Sequence, residues 1–343
     1  MSSRQNYRFM KLHEATTFLT AFKHEDAKVL VRTMMVHNYT EAILEHHPQS
    51  HGLNKEEIYE KCTRLCHSIF REIEKIQEEP EQLLPLLIKL SRNNRPLATF
   101  WFEEFNLAYK WYKHGHKLKI KAGQLAPYLS GETYCDIGCG GGDLVAYLKK
   151  YHPHFKTYTG IDVLDWRTDH LKNEINFQLL DFSKPDARST QQYDMATCIA
   201  ALHHIGDTYE SRHIFLHNIR RALKENGRLL IEEDVILPSD ELAVNGDYKN
   251  QTELLAKDQS HFSEYLAMSR EEQKSVLTII DLLANSLIVG VPNMAFPFGF
   301  KSIEEWCNIF IKSRYTIEHV KIHGFTKGMF NCSSHVFFIL RPT

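Results

Sequence analysis

At 343 residues the chain exceeds the usual size of a single domain, so one large domain accompanied by a smaller one is the expected organisation. Apolar residues make up 43% and charged residues 24%, an ordinary globular composition that excludes wholesale disorder. The 41 Lys and Arg against 43 Asp and Glu leave a formal charge of −2, so no global basic field marks a nucleic-acid binder.

The polar start of the chain (MSSRQNYRFMKLHEATTF) has no apolar leader core, and 7 Cys are thinly spread. Both features predict a reducing, cytoplasmic setting without a disulfide scaffold. Helical signals dominate residues 1–127. Asn54 with Glu57 forms a capping box, and Ile58, Cys62, Leu65, Ile69, Ile73 and Ile76 recur at helical spacing on one face. An apolar stripe of this kind needs a partner, which makes this region a candidate lid or homodimer module. Cys62 lies on the stripe, so Cys62, Cys66 and His67 read as core rather than as metal ligands. Shorter helical stretches follow at Leu86–Leu90 and from Thr99 to Tyr112.

From residue 128 to 343 the texture changes. Thr133–Ile137, Thr157–Ile161, Ile175–Leu180, Met195–Ile199 and Arg228–Glu232 read as buried strands. The helix between the last two is expected to stop at Asn226-Gly227. Such alternation predicts a doubly wound, mostly parallel α/β sheet with helices on both faces. It lapses over about 238–300, where a helical insertion is expected. The apolar run Ser275–Val291 carries Asp281 and Asn285 and falls short of the ~18 residues of a membrane span, so it reads as a buried helix. Ser302 starts a further helix, and two last strands, Thr316–Ile322 and His335–Leu340, close the chain, the second a candidate antiparallel insertion.

The most informative segment is Cys135-Asp136-Ile137-Gly138-Cys139-Gly140-Gly141-Gly142-Asp143. A strand ends there, glycines let a ligand approach the backbone, and a helix begins. Gly138 and Gly140 fit a dinucleotide fingerprint, but its third small residue is Asp143, a poor match to NAD. An acid followed by alternating glycines (Asp136, Gly138, Gly140, Gly142) resembles the first motif of the class I S-adenosylmethionine-dependent methyltransferases, and the resemblance extends from Gly131 to the end of the chain. It implies a seven-stranded Rossmann-like sheet, with S-adenosyl-L-methionine as cofactor and S-adenosyl-L-homocysteine as product. It also assigns roles. Asp162, 20 residues after Gly142, would hold the ribose hydroxyls; Asp181 and Phe182 would meet the adenine; Ala200 would line the same crevice. Ala201-Leu202-His203-His204-Ile205 is similar to the Leu-His-His segment of small-molecule members.

His203 and His204 are the candidate general bases for a nucleophile that starts protonated. Glu232, Glu233 and Asp234 end the fifth strand; Glu233 and Asp234 are candidates to orient a small-molecule hydroxyl or amine. No convergent set of metal ligands stands out. Tyr265, Met294 and Phe298, with Met268, Phe296 and Phe300, are candidates for an apolar acceptor pocket or for plain core. Two alternatives accompany this reading. Residues 109–121 interleave aromatics with 5 lysines, the composition of a strand-binding patch, so an RNA methyltransferase is the main competitor; a non-catalytic regulatory protein that retains the cofactor is the other.

Overall fold

The structure, a computed structural model, describes residues 10–46, 54–91, 99, 102–105, 115–206, 208–289, 295–326 and 334–343. The chain divides into two compact units, Met1–Tyr112 with Ile236–Phe300 and Gly324–Ser334, and Lys113–Val235 with Lys301–His323 and His335–Thr343. Among the described residues no helix is long and apolar enough to cross a membrane.

The first unit is helical. Asn54 caps the helix Lys55–Glu74 through the expected box with Glu57. Its buried face is Ile58, Cys62, Cys66, Ile69, Phe70 and Ile73; Leu65 and Ile76 are only half-buried. Cys62 is core, and burial pushes its thiol up to about 12. The stripe packs on the helix Glu25–His46 within the same unit, with Phe22 and Phe70 rings 5.3 Å apart. Helices Ser239–Val244, Gly246–Asp258, Ser260–Ala267 and Arg270–Leu282 follow the fifth strand. Arg270–Leu282 packs against both Leu12–Phe22 and Glu25–His46, so the insertion shares its core with the N-terminal helices. Most of the stretch Thr99–Tyr112 lies outside the described residues, as does Met294.

The second unit is an eight-stranded sheet: β1 (Thr133–Ile137), β2 (Thr157–Asp162), β3 (Asn176–Leu179), β4 (Tyr193–Ile199), β5 (Leu223–Ile236), β6 (Lys301–Ser302), β7 (Tyr315–Phe325) and β8 (Ser334–Pro342). The order is β3-β2-β1-β4-β5-β8-β7, with β6 paired to β5. β1 to β5 run parallel, and β8 lies antiparallel beside β5; its other neighbour is β7, beside which an antiparallel last strand was expected. Helices Lys117–Leu125 and Asp143–Tyr151 cover one face through Leu118, Ala122, Val145 and Leu148 against Tyr134, Leu230 and Phe337. On the other face Phe310, from the helix Ile303–Lys312, meets Phe338 at 5.2 Å.

One boundary differs from expectation. The helix Tyr209–Ala222 ends before Asn226-Gly227, and β5 begins at Leu223. Leu223 pairs with Tyr193 and Arg228 with Met195, so the ladder bulges between them. A Cβ on Gly227 would sit 2.8 Å from the Tyr193 carbonyl oxygen. The glycine therefore serves a close strand approach rather than a helix stop.

Candidate functional site

β1 is flanked by β2 on one side and β4 on the other, which makes its carboxyl end the switch point of the sheet. The chain leaves β1 in a tight loop. Gly138 and Cys139 donate their N–H groups to the Ile161 carbonyl at 2.8 and 3.2 Å, and Gly142 donates to Cys139 O at 2.9 Å. Gly138, Gly140 and Gly142 are left-handed, with φ of 72°, 55° and 77°. A Cβ on Gly142 would lie 2.3 Å from Ile175 Cδ1 and one on Gly138 2.9 Å from Ala201 Cβ, whereas one on Gly140 would meet nothing within 4 Å. Gly138 and Gly142 thus serve the protein's own packing, and Gly140 opens onto free space where a ligand can reach bare backbone. Gly140→Ala is expected to keep the fold, at a cost of about 1 kcal/mol for its left-handed backbone, yet to lose ligand affinity; Gly142→Ala should lower the melting temperature as well. Thermal unfolding beside ligand titration checks the contrast.

Asp162 closes β2 and steers this loop. Its Oδ2 accepts Gly140 N–H at 2.8 Å and its Oδ1 accepts Leu164 N–H at 3.2 Å. Burial raises this carboxyl, and N–H donors including those of Gly140 and Leu164 hold the rise back. Asp136 is buried at the end of β1 and accepts the Thr197 hydroxyl at 2.7 Å. Asp181 accepts Ser183 N–H at 2.9 Å. Phe182 is buried against Phe215, ring centroids 6.3 Å apart, while Asn218 donates to the Phe182 carbonyl at 2.9 Å. Ala200 follows β4 in the left-handed region at φ 48° and donates N–H to Glu232 O at 2.9 Å.

Strand alternation then separates the three acids at the end of β5. Glu233 turns to His203: the His203 Nδ1–H donates to Glu233 Oε2 at 2.6 Å, and Leu202 N–H donates to Glu233 Oε1 at 2.7 Å. Both side chains are buried. A carboxylate on Nδ1 fixes the ring orientation and leaves Nε2 as the basic nitrogen. His204 is half-buried, its ring 4.0 Å from that of His203. Glu232 and Asp234 face the other way. Lys121 pairs with Glu232, and His335 Nδ1 lies 2.9 Å from Glu232 and 3.1 Å from Asp234. Burial alone would lower the His335 imidazole, but the two carboxylates outweigh it and bring it up to about 8. Glu232 is driven well below the ordinary carboxylate range: burial opposes this, and the charges of Lys121 and His335 prevail.

Residues 135–229 match the model of a family described as a methyltransferase domain. Over those residues the chain is similar to methyltransferase domains. S-adenosylmethionine is the cofactor of such domains, and a loop with its open side at Gly140 suits a ligand that must touch backbone. The ubiquinone biosynthesis O-methyltransferase of Coxiella burnetii is 28% identical over 140 residues, 36% of this chain and 56% of that protein. That of Hydrogenovibrio crunogenus is 27% identical over 148 residues, 40% of this chain and 57% of that protein. The chain therefore spans little more than half the length of these curated relatives. Among solved structures, the O-methyltransferase from the trans-AT PKS multienzyme of Brevibacillus brevis, in complex with S-adenosyl-L-homocysteine, has a TM-score of 0.42 at 12% identity, covering 72% of this chain and 80% of that one.

The sheet unit brings together Asp136, the glycines, Asp162 and Ala200 at adjoining strand ends, and His203 with Glu233. Glu233 and Asp234 do not act as a pair, since they face opposite sides of the sheet. Tyr265 and Phe298 belong to the helical unit. Tyr265 is fully buried between Phe262 and Phe325, and Phe298 packs on Ile236, Leu277 and Phe300. Lys121, Thr197 and His335 meet the carboxylates at these strand ends, contacts that the sequence does not announce. Lys121 is discernible in retrospect, because it sits among Leu118, Ala122 and Leu125 on the apolar face of its helix, where a lysine signals a buried partner.

Proposed function

We propose that this protein transfers a methyl group from S-adenosylmethionine to a hydroxyl or amine of a small molecule, with His203 as general base. The observation that carries the reading is the switch-point loop: left-handed glycines open at Gly140, pinned by Asp162, inside the segment matched as a methyltransferase domain. When bound, S-adenosylmethionine supplies a methyl on positively charged sulfur, which needs no further activation. The work left to this chain is to bind, align and exclude water. The glycine loop would hold the amino-acid end, Asp162 the ribose hydroxyls, and Asp181 with Phe182 the adenine; Asp136 and Ala200 lie at the same strand ends. His203 Nε2 would take the proton of the acceptor as the acceptor's bond to the methyl carbon replaces the carbon–sulfur bond, leaving a neutral thioether, and Glu233 would stabilise the imidazolium that results.

Oxygen is favoured as the acceptor atom because the curated relatives are named for O-methyl transfer. Nucleic acid is disfavoured: Lys121, one of the lysines that made up the basic patch, is buried against Glu232, while the patch residues 109–114 lie outside the described residues. Incubation with cofactor labelled in its methyl group decides between them. Label is expected in small phenols, alcohols or amines from a mixed panel; label entering RNA alone would refute the reading.

A further inference from the structure

We infer, on the reading proposed above, that Asp136 carries a proton in the cofactor-free protein and releases it to solvent when the cationic amino-acid end of the cofactor docks. Residues paired across parallel strands share a face. Asp136 pairs with Gly160 and with Thr197, and Ile199 with Glu232; Asp136, Asp162, Thr197, Glu232 and Asp234 therefore lie on the same side at the strand ends. On that side Lys121 and His335 meet Glu232 and Asp234 at β5 and β8, and Arg167, paired with Asp165, lies over the ring of Phe177 on β3.

Asp136 has a different environment. It is 3% exposed and accepts the Thr197 hydroxyl, whose oxygen lies 2.7 Å from the Tyr134 hydroxyl. Among the described residues, the titratable groups that act on it are Tyr134 and Cys135 from its own strand, Cys139 from the loop, Asp162 from β2, Cys198 from β4 and Glu232 from β5, all of them acids. Burial raises the Asp136 carboxyl to about 7; the Thr197 bond holds it back, and Asp162 and Glu232 add to the rise. A buried carboxylate with one hydroxyl donor and acidic neighbours favours its neutral form. A ligand that carries a sulfonium and an ammonium brings positive charge to a carboxyl whose described titratable neighbours are acids, and the carboxylate then becomes the favoured state.

Calorimetric titration of the full chain with S-adenosylmethionine tests this, run from pH 5.5 to 8 in two buffers of different ionisation heat. Affinity is expected to be about thirtyfold weaker at pH 5.5 than at pH 8, with close to one proton released per site at the acid end and almost none at pH 8. Asp136→Asn should bind weakly and without this slope. Thr197→Val keeps the shape and removes the donor, and should move the inflection to higher pH. His335 titrates alike in all three proteins, so the difference isolates Asp136. A wild type with pH-independent affinity and no proton release overturns the inference, as does a slope that survives in Asp136→Asn or an inflection unmoved in Thr197→Val. Absence of binding at every pH defeats the proposed function itself, and this inference with it.

Discussion

Lys121→Met is expected to destabilise the sheet unit by about 3 kcal/mol, the scale for breaking a buried ion pair and leaving one charge behind. In a unit of this size that corresponds to a fall in melting temperature of about 6–12 °C. The Lys121 ammonium and the Glu232 carboxylate are both buried, at 5% and 1% exposure, so water cannot replace the lost partner. His335 remains beside Glu232 and keeps the loss at the lower end of the range. The double variant Lys121→Met with Glu232→Gln should regain part of the stability, because the stranded charge is gone. The pH dependence has a definite direction. His335 has its folded-state value raised to about 8 from 6.5, so its contribution is complete below about 6.5 and fades as pH rises through 8. Denaturant unfolding from pH 6 to 9 should show this decline in wild type and a flatter profile in His335→Gln. A Lys121→Met protein as stable as wild type would mean that the pair contributes nothing.

His203→Gln is expected to lower kcat by about 10²- to 10⁴-fold, the usual contribution of a positioned general base, with little change in cofactor affinity. His203 is held by Glu233 at 2.6 Å, and Glu233 in turn by the backbone N–H of Leu202, the ordered relay that a base needs for a fixed tautomer. Glu233→Gln should give a smaller loss, since the ring stays in place but its imidazolium is less stabilised. His204 lacks this anchoring by Glu233, and His204→Gln should fall well short of the His203 effect. The wild-type rate should rise through an ionisation between about pH 5 and 8, the range of a histidine base, and the His203→Gln rate should not. Equal kcat in wild type and His203→Gln, measured on an acceptor found by the labelling panel, removes the residue from the mechanism.

Much of this arrangement could be read in the chain because its signals are local. Alternating apolar runs and amphipathic stretches specified the layered sheet, and the left-handed demand at Gly138, Gly140 and Gly142 was visible as glycine itself. Asp162 was legible by its spacing from the loop. The partners that act at long range were not. Lys121 and Glu232 are 111 residues apart, and His335 is one of 20 histidines with no local pattern to single it out. Strand parity also mattered: Glu232, Glu233 and Asp234 look alike in sequence, yet alternation sends the middle one to His203 and the outer two to Lys121 and His335. The apolar stripe of Arg270–Leu282 announces burial but not its target, and the target lies in helices more than 200 residues earlier. Gly227 shows the converse, a turn signal whose role was a close approach to Tyr193 across a bulge.

The crevice at the carboxyl ends of β1 and β2 is the proposed seat of S-adenosylmethionine. Calorimetry on wild type and Asp162→Ala at pH 8 measures this directly. One saturable site in wild type is predicted, with affinity at least about tenfold weaker in the variant, the equivalent of ~1.4 kcal/mol. No binding heat in wild type, or the same affinity in both proteins, would contradict it.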